Sequence, residues 1–124
     1  MEILAIIFTL IVAVEHLYIL WIEMFAWETT GKKVFGGSLP HELFPATKKL
    51  AANQGLYNGF LAAGLLWSFF IENAEWSFNI RVFFLACVIT AAVYGAITAS
   101  KSILIKQGLP AILALIFVLI AHCN

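Results

Sequence analysis

Long apolar stretches alternate with short polar ones along this chain of 124 residues. Four of the stretches have about the length of 20 mostly apolar residues that a membrane-spanning α-helix needs. They lie at residues 3–27, 50–71, 77–99 and 103–122. None shows the period-two alternation of membrane β-strands, so helices are favoured. The pattern predicts an all-α protein, a four-helix transmembrane bundle with up-down topology that forms a single integral membrane domain over residues 1–124.

The composition favours the same class of protein. The chain is 63% hydrophobic and 11% charged, and its mean hydropathy is +0.98. A soluble domain is about half apolar and about a quarter charged, so these charges are too few to cover a soluble surface. The formal net charge is zero, which gives no basis for nucleic-acid binding. Cys87 and Cys123 lack metal-ligand spacing, and nothing in the sequence supports a disulfide between them.

The first apolar stretch resembles a retained helix more than a signal peptide. It begins with Met1-Glu2, without a basic residue, and it ends in Glu23-Met24-Phe25-Ala26-Trp27, which is a poor cleavage site. The connection at residues 28–49 is the only long one. Its glycines and prolines predict an irregular or partly interfacial segment.

The basic residues predict the direction of the helices, because cytoplasmic loops are enriched in lysine and arginine. One side of the predicted bundle carries all the lysines, Lys32, Lys33, Lys48, Lys49, Lys101 and Lys106. The other side carries only Arg81. We therefore expect the lysine-bearing connections in the cytoplasm and both termini outside.

Ionisable side chains lie inside the first predicted span. At about 100° of rotation per residue, Glu15, His16 and Glu23 fall on one face of this helix. A charged side chain at the bilayer centre costs at least about 2.5–3.5 kcal/mol on insertion scales, and such residues mark functional sites by default. These three side chains are therefore candidate site residues.

The second and third predicted spans bring further polar groups to the same depth. The second contains the amide-rich stretch NQGLYNGF, residues 53–60, and the third carries a tyrosine near its cytoplasmic end. In an up-down bundle these groups meet in the cytoplasmic half. The sequence therefore predicts a polar ligand-binding pocket formed by Glu15, His16, Glu23, Asn53, Gln54, Tyr57, Asn58 and Tyr94.

Gly55 and Gly59 form a GxxxG spacing on the second predicted span. Small residues at this spacing let two membrane helices approach closely. The contact is expected either within the chain or across a homodimer.

Three stretches of the sequence carry a resemblance to a known family. They are EHLYI at residues 15–19, EMFAW at residues 23–27 and NQGLYNGFLAAGL at residues 53–65. The chain resembles a family of small bacterial four-span integral membrane proteins of unknown function, and the resemblance covers most of its length. It implies a multi-pass protein of the bacterial cytoplasmic membrane and brings no established activity.

Three functions of different classes fit the predicted pocket. In the first, a carrier or sensor binds a small molecule, a cation or a proton at the carboxylates and amides. In the second, a membrane-embedded enzyme uses His16 with Glu15 or Glu23 for acid–base chemistry on a lipid-soluble substrate. In the third, the polar cluster only specifies the packing of a membrane scaffold. The expected partners are membrane lipid, a small molecule or ion, and a second copy of the chain. No cofactor and no metal site are predicted, because these residues lack a His pair at i, i+4 and a nearby cysteine.

Overall fold

The computed structural model describes residues 1–124, and every regular element in it is helical. The helices are α1 (Glu2–Phe25), α2 (Thr30–Phe35), α3 (Lys48–Ser68), α4 (Ala74–Thr98) and α5 (Lys101–Cys123). A short 3-10 turn, His41–Leu43, lies between α2 and α3. The all-α prediction is confirmed, since no strand forms. The four predicted stretches correspond to the long helices, with ends displaced by a few residues.

Three of the long helices are long and apolar enough to cross a membrane. They are α1, α4 and α5, with 24, 25 and 23 residues. The helix α3 has 21 residues and is less apolar. Its first turns carry the polar side chains Lys48, Lys49, Asn53, Gln54 and Asn58. A crossing by α3, and with it the four-span topology, stays a prediction.

The four long helices pack around a core of small and medium-sized apolar side chains. The helix α1 contacts α3 and α5, and α4 contacts the same two. The fully or nearly buried core residues are Ala5, Val12, Ala13, Leu65, Leu85, Val88, Ala111, Ala114 and Val118. Larger apolar side chains such as Ile3, Phe60, Phe83 and Ile97 point outward. So large an exposed apolar surface is typical of a protein that lipid or another apolar partner covers.

A tight contact between α1 and α3 depends on Gly55. A Cβ atom at this position would lie 2.9 Å from the Met24 Cγ atom and 3.0 Å from the Glu23 Cβ atom. A Cβ atom on Gly59 would overlap the Leu20 side chain. The GxxxG spacing is thus used within the chain, against α1. A homodimer through Gly55 and Gly59 stays a prediction, and it would have to displace α1.

The start of α5 is widened into a π-helix over Leu104–Gly108. The Leu109 N–H group donates to the Leu104 carbonyl, five residues back. Pro110 explains the widening, because it has no N–H for the carbonyl four residues back and its ring crowds that carbonyl. A Cβ atom on Gly108 would lie 3.2 Å from the Ala92 Cβ atom, so glycine lets the widened turn approach α4.

The connection between α1 and α3 is more ordered than the sequence predicts. Phe44 is fully buried, and its ring centroid lies 4.7 Å from that of Trp27. The Trp27 Nε1 atom donates a hydrogen bond to the Thr47 Oγ1 atom at 3.0 Å. The Phe35 ring also packs on Trp27, with the two ring centroids 5.6 Å apart. These contacts hold α2 and the following turn over one end of the bundle.

Candidate functional site

A hydrogen bond between α1 and α3 joins two of the predicted site residues. The Asn58 Nδ2 atom donates to the Glu23 Oε1 atom at 2.6 Å. Glu23 is only 4% exposed. A hydrogen bond to a carboxylate is short and strong, and Asn58 is the side chain that satisfies this buried oxygen.

The Glu23–Asn58 pair lines a cavity of about 270 Å³ at the end of the bundle that α2 covers. Gln54 of α3 and Gln107 of α5 add two further amide groups to its wall. The connection between α1 and α3 contributes the aromatic rings of Trp27 and Phe35. The remaining lining residues are Ile19, Ser38, Leu39, Ala91, Gly95, Ala99 and Ile103. Every long helix therefore supplies part of the wall.

A second cavity of about 140 Å³ adjoins the first. The two share the lining residues Ile19, Phe35, Ser38, Ile103 and Gln107. We call the two cavities together the Glu23 chamber. The second cavity also contains Glu15, whose Oε1 atom is buried and has no hydrogen-bond partner in the chain. A buried polar atom without a partner requires one from water or a ligand.

Lys106 lines the second cavity together with Glu15. Its side chain is exposed, and no ion pair forms between the two residues. No basic side chain of the chain therefore occupies the Glu15 carboxyl group, which lines the second cavity.

His16 lies apart from the two glutamates. It is 1% exposed, and its Nδ1 atom lies 2.8 Å from the Val12 carbonyl oxygen, which accepts the hydrogen bond. His16 lines neither cavity of the Glu23 chamber. Adjacent helix residues point about 100° apart, so His16 enters the core while Glu15 faces the second cavity. The structure does not bring the imidazole to the carboxylates.

Three other predicted residues point away from the Glu23 chamber. Tyr57 is 60% exposed, Tyr94 is 69% exposed, and Asn53 is exposed as well. Tyr94 lies on a shallow outer surface of α4 beside Cys87 and Thr90. Of the eight predicted residues, the structure brings four to the chamber, Glu15, Glu23, Gln54 and Asn58.

Sequence reasoning missed Gln107 and the residues of the connection that cover the chamber. Gln107 is the only amide side chain on the first turns of α5. It lies within the π-helical segment before Pro110. π-Helical turns are frequent at functional sites, and the Gln-Gly-x-Pro pattern was the available signal. Phe35, Ser38 and Leu39 gave no such signal, because only the packing of the connection places them. No cluster of three or more His, Cys, Asp or Glu side chains has a metal-ligand arrangement.

Comparison with known proteins identifies relatives across almost the whole chain. Residues 10–119 match the family described as "Protein of unknown function (DUF1304)". The chain is 38% identical over 117 residues to "Uncharacterized protein YpaA" of Lactococcus lactis subsp. lactis (strain IL1403). This alignment covers 94% of the chain and 97% of that relative. No solved structure matches the chain.

Proposed function

We propose that this chain, which belongs to the DUF1304 family of proteins of unknown function, is a membrane protein that binds a small organic cation in the Glu23 chamber. One observation carries the proposal: two carboxylates from α1 line adjoining cavities. Glu23 is held by Asn58, and a buried oxygen of Glu15 has no partner. Buried carboxylates without a basic partner favour a positively charged ligand.

The other groups of the chamber support the same ligand chemistry. The hydrogen bond from Asn58 engages only Oε1 of Glu23, which leaves the second oxygen for a ligand. The carbonyl oxygens of Gln54 and Gln107 are further acceptors. Trp27 also lines the chamber, and an aromatic ring attracts a nearby cation with about 0.5–2 kcal/mol, depending on desolvation.

The size of the chamber limits the ligand to a small molecule. Its two cavities have volumes of about 270 and 140 Å³. Pockets for drug-sized ligands hold roughly 300–1,000 Å³. A ligand of a few non-hydrogen atoms, such as an alkylammonium ion, fits these dimensions.

The proposed setting is the bacterial cytoplasmic membrane, with α1, α3, α4 and α5 crossing it in alternate directions. α3 packs against both α1 and α4, which are long and apolar enough to span. Lys32, Lys33, Lys48 and Lys49 lie near the chamber end of the bundle, which favours a cytoplasmic location for that end. The protein would then act as a carrier or a sensor that takes its ligand from the cytoplasm.

The structure gives less support to the hypothesis of an acid–base enzyme than to the proposed binding of a cation. General acid–base catalysis needs the proton-transferring group within hydrogen-bond reach of the substrate. His16 instead bonds the Val12 carbonyl and lines neither cavity. Its conformation would have to change before it could act on a molecule in the chamber.

Binding of tetramethylammonium to the purified protein in detergent tests the proposal. We expect a saturable rise in melting temperature with tetramethylammonium and with ethylammonium, because a ligand that binds only the folded state stabilises it, by about 2.7 kcal/mol at 100 times the dissociation constant. tert-Butanol and sodium acetate are the controls for size and for charge. Titration calorimetry should give one site per chain. Equal effects from the cations and the controls, or no binding of either cation, would contradict the proposal.

A further inference from the structure

Arg81 is a buried charge that the Glu23 chamber does not involve. It is the only arginine of the chain, it lies on α4, and it is 9% exposed. Its Nε atom donates to the Ser68 Oγ atom at 3.1 Å, and its Nη2 atom donates to the Ser77 Oγ atom at 3.5 Å. The guanidinium carbon lies 4.3 Å from the centroid of the Phe69 ring. These contacts fix the position of the guanidinium group.

No carboxylate of the chain forms a direct ion pair with this arginine. No carboxylate oxygen lies within ion-pair distance of Arg81; the salt bridges of the chain involve other residues. The Nη1 atom forms no hydrogen bond. Since a charged side chain with little exposure is normally paired, and Arg81 lines a cavity, its free donors are available to an anionic group from outside the chain.

Arg81 lines a cavity of about 310 Å³ at the opposite end of the bundle from the Glu23 chamber. We call it the Arg81 cavity. Glu2 lies on its wall, and its side chain is exposed and unpaired. His122 is stacked on Phe78 at 3.7 Å and completes the wall. The cavity therefore offers a fixed guanidinium group and a separate carboxylate to one occupant.

Exposed aromatic side chains surround the same end of the bundle. They are Trp67, Phe70 and Trp76. Aromatic belts with tryptophan lie at the headgroup level of membranes. If the bundle spans a membrane, the Arg81 cavity then opens at the depth of lipid headgroups.

We infer that the Arg81 cavity binds a zwitterionic phosphate ester, with its phosphate on the guanidinium group of Arg81 and its ammonium group near Glu2. Arginine matches phosphate geometry with paired N–H donors. Ser68 and Ser77 position the guanidinium group and do not contact the ligand. The phosphate ester is either the headgroup of phosphatidylethanolamine or free phosphoethanolamine. The inference is independent of the ligand of the Glu23 chamber.

Native mass spectrometry of the purified, delipidated chain tests this inference directly. The chain is offered equal amounts of phosphatidylethanolamine and phosphatidylglycerol in detergent. We expect retention of phosphatidylethanolamine to exceed that of phosphatidylglycerol by about tenfold, since only the former carries a cation for Glu2. Equal retention of the two lipids, or a preference for phosphatidylglycerol, would overturn the inference without any variant being needed.

Substitutions of Arg81 and Glu2 test which residue binds the phosphate and which binds the ammonium group of the ligand. Arg81→Gln should abolish the retained adduct, and Arg81→Lys, which keeps the charge at lower risk to folding, should weaken it. Glu2→Gln should remove the preference between the two lipids. Glu72→Gln, an exposed carboxylate outside the Arg81 cavity, is the matched control and should leave the preference unchanged. An adduct that survives in a folded Arg81→Gln protein would contradict the assignment.

Competition with soluble phosphoethanolamine distinguishes the two sources of the ligand. Displacement of the lipid identifies the headgroup alone as sufficient, and resistance to displacement identifies the acyl chains as part of the ligand. In either case the ligand is bound in the Arg81 cavity. Tetramethylammonium binding, measured in the same samples, reports separately on the Glu23 chamber.

Discussion

Replacing Glu23 by Gln is expected to weaken the binding of tetramethylammonium about 30-fold or more. Removing one member of a buried charge pair costs about 2–5 kcal/mol, and about 1.4 kcal/mol corresponds to a factor of ten in affinity. The substitution keeps the shape of the side chain and removes its negative charge. The measurement is titration calorimetry on the purified variant, with the melting temperature recorded to show that the protein remains folded.

The matched control for Glu23→Gln is Glu72→Gln. Glu72 is exposed and lines neither the Glu23 chamber nor the Arg81 cavity. A general effect of net charge would weaken binding in both variants to a similar extent. Undiminished affinity in the folded Glu23→Gln protein would remove this carboxylate from the proposed site.

The second large effect concerns stability. We expect Gly55→Leu to lower the free energy of unfolding by about 1–3 kcal/mol or more, as overpacking of a tight contact does. A Cβ atom at this position would already lie 3.0 Å from the Glu23 Cβ atom and 3.3 Å from the Leu20 carbonyl oxygen. Neither atom lies at the end of a flexible side chain, so α1 and α3 would have to separate. Because Glu23 and Asn58 bridge the same two helices, cation binding should decline as well.

Ala63→Leu is the control for Gly55→Leu. It adds the same side chain to α3 at an exposed position. Chemical or thermal unfolding in one detergent compares the two variants with the parent protein. Equal stability of both variants would show that the Gly55 contact with α1 is not tight in solution.

The four long helices could be predicted from the sequence because each corresponds to one long apolar run of the chain. The short helix α2 could not, since it lies in the connection that the sequence predicts to be irregular. Residues 77–99 were predicted as a span, and α4 covers Ala74–Thr98. The predicted ends differ because capping is decided by single side chains. Asn73, for example, accepts a hydrogen bond from the Trp76 N–H group and starts α4 earlier than the apolar run does.

The candidate site could be predicted only in part, because the rotation of a helix about its axis is fixed by its neighbours. Depth alone places Glu23 and Asn58 in the same half of the bundle, and the structure shows that they are hydrogen-bonded. The same reasoning included Tyr57, which precedes Asn58 and points about 100° away, to the exterior. Nothing in the sequence showed which of these two faces α3 turns towards α1.

The remaining parts of the site depend on contacts that are distant in sequence or on irregular backbone. Phe35 and Ser38 reach the chamber because Trp27 packs on Phe44 and bonds Thr47, which folds the connection over the bundle. Gln107 lies in the π-helical turn, where a regular rotation of 100° per residue does not apply. A period-based prediction cannot anticipate either feature.

The most direct test of cation binding in the Glu23 chamber is a crystal structure with tetramethylarsonium, the arsenic analogue of tetramethylammonium. Diffraction at the arsenic absorption edge locates the ion without reference to any assumed site. We predict one anomalous peak inside the chamber, near the carboxylates of Glu15 and Glu23 and within about 6 Å of the Trp27 ring. An empty chamber, with arsenic found only on the exterior of the helices, would contradict the proposed function.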